Sequence, residues 1–149
     1  MLTPVAEDSG VRVITQAELL ANATDIEGDV LEANGLTIAN GNGGLVNNGD
    51  GTWNYTPANN DDTSASFDYT ITDAANNIAG SATLDITPVN DTPSTSPVIL
   101  APAIEDNVRL ITQAELLTNT TDIDSSLLTA TNLQVSTGTL VDNLSLIHI

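Results

Sequence analysis

The chain has 149 residues, with twenty acidic side chains against two basic ones and a formal charge of −18. That balance excludes nucleic acid and anionic membrane surfaces as partners, because both are bound by neutralising phosphate with Lys and Arg. Zero cysteines exclude disulfides and thiolate metal sites, and 40% hydrophobic residues arranged in strand-like runs exclude a disordered acidic tail.

In chain order, MLTPVAEDSG shows neither the basic region nor the apolar core of a signal peptide, and no direct membrane insertion is expected. VRVIT (11–15) reads as a strand. Thr15 and Glu18 then form a Thr-x-x-Glu capping box ahead of a helix of one or two turns, so Glu18 is assigned a structural role. GLTI (35–38) begins another strand, and GLVNNGDGTWNYTP reads as a hairpin with Asp50-Gly51 in its turn region. Trp53 and Tyr55 alternate as core residues do, and so do Phe67, Tyr69 and Ile71 in SFDYTITD. IAGSATLDITPV reads as one longer closing strand. About seven short strands and one short helix predict an all-β fold, an antiparallel β-sandwich of immunoglobulin or cadherin type.

The chain then repeats itself. RVITQAELLANATDIEGDVL (12–31) returns as RLITQAELLTNTTDIDSSLL (109–128), identical at 13 of 20 places and shifted by 97 positions. The two arginines, Arg12 and Arg109, occupy equivalent places, and Thr112 with Glu115 repeats the capping box. The unit is therefore about 98 residues long, and its repetition favours a piece of a longer tandem array. We expect a complete repeat at 1–93, a linker at 94–104 and a truncated second repeat at 105–143, poorly stable alone because the strands matching the aromatic half of the first are missing. Residues 144–149, LSLIHI, break the repeat and match one reading frame of a sequencing adaptor. They are expected to be non-native, which removes His148, the only histidine, from consideration.

Acidic residues gather at unit ends: Glu7 and Asp8, Glu105 and Asp106, Asp25-x-Glu27-x-Asp29, Asp122-x-Asp124, and Asn90-Asp91 in PVNDTP. Carboxylates brought within about 4 Å repel by about 4 kcal/mol per pair at an effective dielectric near 20. They are therefore either solvated apart or gathered around a cation, and calcium takes six to eight such oxygens. The Asp-x-acid spacing keeps its oxygens in both copies whereas Asp29 becomes Ser126, which ranks Asp29 lower. DIEGDV is not an EF-hand loop, since Val30 stands where the sharp-turn glycine belongs. No Ser/His/Asp arrangement survives without His148, so no enzymatic activity is expected.

The order AED, NATDIEGDVL, DGTWNYTP, FDYTITD and GSATLDITPVNDTP resembles the cadherin-like tandem repeats of giant bacterial adhesins, over residues 2–143. The resemblance implies an exported, cell-surface spacer module in adhesion and biofilm formation, stiffened by Ca2+ at its junctions. Its partners would be neighbouring repeats of the same chain, and the adhesin ligand would be bound elsewhere in the parent protein. It further implies that Asn90 and Asp91 share calcium with Glu105, Asp106, Asp122 and Asp124, and that Glu7, Asp8, Asp25, Glu27 and Asp29 serve a preceding unit, with Asp73 as an additional ligand. A ligand-binding β-sandwich for carbohydrate or protein, or an accessory module of a secreted hydrolase, is the alternative.

Overall fold

The computed structural model describes residues 1–141. It falls into two compact units, Met1–Asn90 and Asp91–Ile149.

The first unit is built from β1 (Val5–Ala6), β2 (Arg12–Thr15), α1 (Gln16–Leu19), β3 (Glu32–Asn40), β4 (Gly43–Asn47), β5 (Thr52–Pro57), β6 (Ala65–Thr72), β7 (Asn77–Leu84) and β8 (Ile86–Thr87). One antiparallel sheet has the order β2-β5-β4 and a second the order β3-β6-β7, while β1 pairs with β8 in parallel. Alternation along each strand sends one side inward. Ile14, Trp53 and Tyr55 come from the first sheet, and Ala33, Leu36, Phe67, Tyr69 and Leu84 from the second, all into one core. Tyr55 and Phe67 meet edge to face, with ring centroids 5.2 Å apart and an interplanar angle of 88°, so the two sheets are joined by an aromatic pair.

Two strands depart from the sequence reading. The strand expected at GLTI (35–38) runs from Glu32 to Asn40 and carries irregularities after Asn34 and after Ile38. Gly35, at φ +67, takes the left-handed conformation that the extra residue of the first bulge requires, which is why the buried positions step from Ala33 to Leu36 and not by two. IAGSATLDITPV is not one strand but two. Leu84 and Ile86 both point into the core, yet the backbone changes partner between them: Ala65 pairs with Leu84, whereas Val5 pairs with Ile86 and donates its N–H to the Asp85 carbonyl at 3.1 Å. Inward alternation continues through Asp85 while the hydrogen-bond ladder does not, so pattern reading could not find the break.

In the second unit the described elements are β9 (Ser94–Thr95), α2 (Gln113–Leu116) and β10 (Thr120–Thr121), with β9 and β10 antiparallel. Its described residues add nothing to the buried core, and Val108 and Ile99 are almost fully exposed. The segment 144–149, expected to be non-native, lies outside the described residues, as does His148.

Candidate metal centre

The capping boxes stand where the spacing placed them. Thr15 accepts the Glu18 N–H, Glu18 returns to the Thr15 N–H, and Thr112 and Glu115 do the same in the second unit. Each box is bound to its unit's arginine. Arg12 forms a salt bridge with Glu18 and also donates to the Thr3 carbonyl at 3.3 Å, while Arg109 pairs with Glu115 at 2.8 Å. The Arg12 guanidinium, opposed in part by burial, holds the Glu18 carboxyl below its ordinary value of 4.5, and the Thr112 N–H does most to lower Glu115. A second clasp was not read from the sequence. Gln16 donates from Nε2 to the Ala33 carbonyl at 2.6 Å and accepts the Ala33 N–H at Oε1 at 2.7 Å. Gln113 and Ala130 repeat this bidentate pair at 2.8 and 2.7 Å. The 17-residue separation recurring in both copies was the available signal. Together the clasps fix both ends of the loop that carries Asp25, Glu27 and Asp29, and of the loop that carries Asp122 and Asp124.

Stability should follow the protonation of Glu18. Its folded pKa is depressed, so unfolded Glu18 takes up a proton before folded Glu18 does. Its contribution is complete above about 4.5 and is lost as pH falls through the lower, folded value. Calorimetric scans from about pH 6 to 3 are expected to show the unfolding midpoint of the first unit falling most steeply below 4.5, and Glu18→Gln should flatten that decline. An identical profile for Glu18→Gln would mean that the arginine clasp contributes nothing in solution.

The first acid of each loop also organises its own backbone. Asp25 Oδ1 accepts the N–H groups of Glu27 at 2.9 Å and Asp29 at 3.0 Å. Asp122 Oδ1 accepts those of Asp124 at 2.9 Å and Ser125 at 2.7 Å. Asp124 Oδ2 in turn accepts the Asp91 N–H at 2.5 Å, so the first residue of the second unit is brought to the Asp122 loop. Glu105 and Asp106 sit in an exposed turn of that unit, where Asp106 adopts φ +60. Its counterpart Asp8 adopts φ +57 and accepts the Asn60 N–H at 3.2 Å.

Glu7 differs from these exposed acids. It is 3% exposed, its N–H reaches the Thr87 carbonyl at 3.0 Å, and its Oε1 accepts the Val89 N–H at 2.8 Å. A carboxylate is costly to bury unless its oxygens are bonded. Here it faces the chain immediately before Asn90. Asp73 belongs to a different place, the β6–β7 turn. There it accepts from the N–H groups of Ala75 and Asn76 and from the Asn76 side chain, and the Asn76 N–H is the main cause of its lowered pKa.

The oxygen donors suit calcium chemically. Their placement brings them together only in part, because no group of three or more His, Cys, Asp or Glu among the described residues is arranged to hold a metal ion. Asp91 meets Asp124 through its backbone N–H, whereas Asp73 serves its own turn.

A β-sandwich whose capped, acidic loop is repeated along one chain is the architecture of a tandem-repeat module. The family model for the cadherin-like domain matches residues 1–87 and 89–145, and the chain belongs to that family. Domains of this family are typically extracellular and generally bind calcium. Searches of curated proteins and of solved structures find no significant match. Among the described residues, no helix is long and apolar enough to cross a membrane.

Proposed function

We propose that this chain is an adhesion-type spacer: repeats of a large secreted bacterial adhesin, non-catalytic, holding a binding domain away from the cell surface, with calcium taken up at the unit ends. The observation that carries the reading is the duplicated clasp. Arginine, capping box, bidentate glutamine and acidic loop recur as a set, as a mechanical array needs and a single binding site does not. Neighbouring repeats of the same chain are its partners on this reading.

In the second unit Asp91, Asp122 and Asp124 are the residues we assign first to calcium, ahead of Glu105 and Asp106; in the first unit Glu7 and Asn90 come first, ahead of Asp8, Asp25 and Glu27, with Asp29 last. The buried Glu7 carboxylate at the end of the first unit, and the Asp91 N–H held on the Asp124 carboxylate in the second, support the assignment. Asp73 is set aside because both of its oxygens are bonded within its own turn, whereas Asp25 and Asp122 use one. The alternative of a carbohydrate platform has less support, since Trp53, Tyr55, Phe67 and Tyr69 are all buried and leave no aromatic shelf.

Thermal unfolding of the chain in chelator and in calcium tests the reading. Calcium at one hundred times its Kd should add about 2.7 kcal/mol to stability. That gain corresponds to a rise of several degrees in the midpoint for a domain of this size. Asp91→Asn combined with Asp124→Asn should remove most of the gain. A midpoint indifferent to calcium up to about 10 mM, beyond the usual range of extracellular calcium modules, would defeat the calcium assignment and leave a merely spacing repeat.

A further inference from the structure

The 149 residues contain two front halves of the repeat, 1–47 and 100–141, and one back half, 48–87. From the front half, Leu2, Ile14, Leu19, Ala33 and Leu36 enter the core of the first unit. All five return in the second copy, as Leu100, Ile111, Leu116, Ala130 and Leu133. The first four are only half-buried there, and Leu133 is 42% exposed. The backbone that presents them is set in the same way. Gln113 holds Ala130 as Gln16 holds Ala33, and Gly35 of the first bulge, at φ +67, is matched by Asn132 at φ +56. Asparagine tolerates that conformation, and the position has room for it, since a Cβ at Gly35 would meet no atom within 4 Å. The second copy therefore displays the face that the first unit covers with its back half, where Ile14 lies opposite Trp53 and the Tyr69 hydroxyl donates to the Leu19 carbonyl at 2.7 Å.

The back half can pass from one copy to the other if the chain reaches. β1 runs parallel beside β8, and the Leu2 N–H donates to the Thr83 carbonyl at 2.8 Å, so the beginning and the end of the unit are adjacent. Units with adjacent ends tolerate permutation of their halves. To seat Leu100 in the place of Leu2, residues 88–99 must turn back along about 13 Å of β8, or about four residues of strand. A segment of that length, extended, spans about 40 Å. Glu105 would then stand where Glu7 accepts the Val89 N–H.

We propose that the second front half competes with the first for the back half, giving the chain an alternative fold in which 100–141, rather than 1–47, complete 48–87. One copy is released as the other docks, so local differences set the balance. The first pairing is the ground state for two reasons. It keeps the β4–β5 hairpin, in which the Asn48 N–H donates to the Thr52 carbonyl at 3.0 Å. The second copy is also shorter by two residues between Gly138 and Leu140 than the first between Gly41 and Leu45. Exchange within one chain prevails over exchange between molecules, because the linker holds the second copy at an effective concentration on the order of millimolar. The competition follows from the repeat and requires neither calcium nor a role in adhesion.

The test uses the full chain with its first copy disabled. Ile14→Asp places a charge in the core opposite Trp53. Trp53 should nevertheless stay buried, with blue-shifted fluorescence and a cooperative urea transition, whereas Ile14→Asp combined with Ile111→Asp should lose both. Exposure of Trp53 in Ile14→Asp alone, or a double variant as folded as the single one, would overturn the proposal. Cysteines, of which the chain has none, read the pairing directly. Val13 and Asn54 are opposed in the β2–β5 ladder, on the side away from Trp53 and Tyr55, and Leu110 is the counterpart of Val13. In the Ile14→Asp chain, Asn54→Cys with Leu110→Cys should form a disulfide within one molecule, since directly opposed strand residues have the Cα separation that the bond needs. Its absence, or its formation only between two molecules, would defeat the proposal. With Ile14 restored the bond should form about tenfold or more slowly, the alternative then being a minor state. An equal rate would mean that residue 14 plays no part in the choice, which also overturns it.

Discussion

Phe67→Ala is expected to destabilise the first unit by about 3–5 kcal/mol. Phe67 is fully buried in β6, the central strand of its sheet, paired with Ile38 of β3 on one side and Ala82 of β7 on the other. Its ring also meets Tyr55 across the sandwich at 5.2 Å, so truncation removes the inter-sheet pair together with its own buried surface. Little can collapse into the space: Ala82 is small, and Tyr55 is tied by its hydroxyl to the Asn42 carbonyl. Trp53, the only tryptophan and 3% exposed, provides the readout through its fluorescence during urea unfolding. A loss below about 1 kcal/mol would mean that the sheets are not packed through this pair.

Ile14→Ala should cost about 2–5 kcal/mol, whereas Ile111→Ala, the same substitution at the same place in the repeat, should cost less than about 1. Ile14 is completely buried, opposite Trp53 in the β2–β5 register. Ile111 is only half-buried, and its unit adds nothing described to the core. The contrast tests whether burial or local sequence sets the energy, since the flanking residues Thr, Gln, Ala and Glu are identical. Trp53 fluorescence reports the first substitution, and amide exchange across 112–118 reports the second. Equal costs would show that the second unit packs Ile111 in solution as tightly as the first packs Ile14.

Much of the first unit was legible because short-range rules fix it. The capping boxes need only a threonine and a glutamate three residues apart, and both formed, in the second unit as in the first. The β4–β5 hairpin needed its Asn, Gly and Asp residues, and the burial of Trp53, Tyr55, Phe67 and Tyr69 followed from period-two alternation. The acidic candidates were legible only as a set. That Glu7 would be buried against Val89 depends on where chain segments 82 residues apart are carried, whereas Asp73 is occupied by its own turn, two and three residues away.

By itself, then, the sequence determined the all-β class, the repeat of about 98 residues, the capped helix in each unit and the identity of the inward-facing aromatics. These are local or periodic properties, and each copy expresses them independently of what surrounds it. Tertiary structure alone decided the bulge at Gly35, the change of partner at Asp85, the glutamine clasp on Ala33 or Ala130, and which of two identical isoleucines is buried. Hydrogen-bond partners and neighbours across a sandwich come from segments tens of residues away, and a side chain's burial is a property of what those segments place against it.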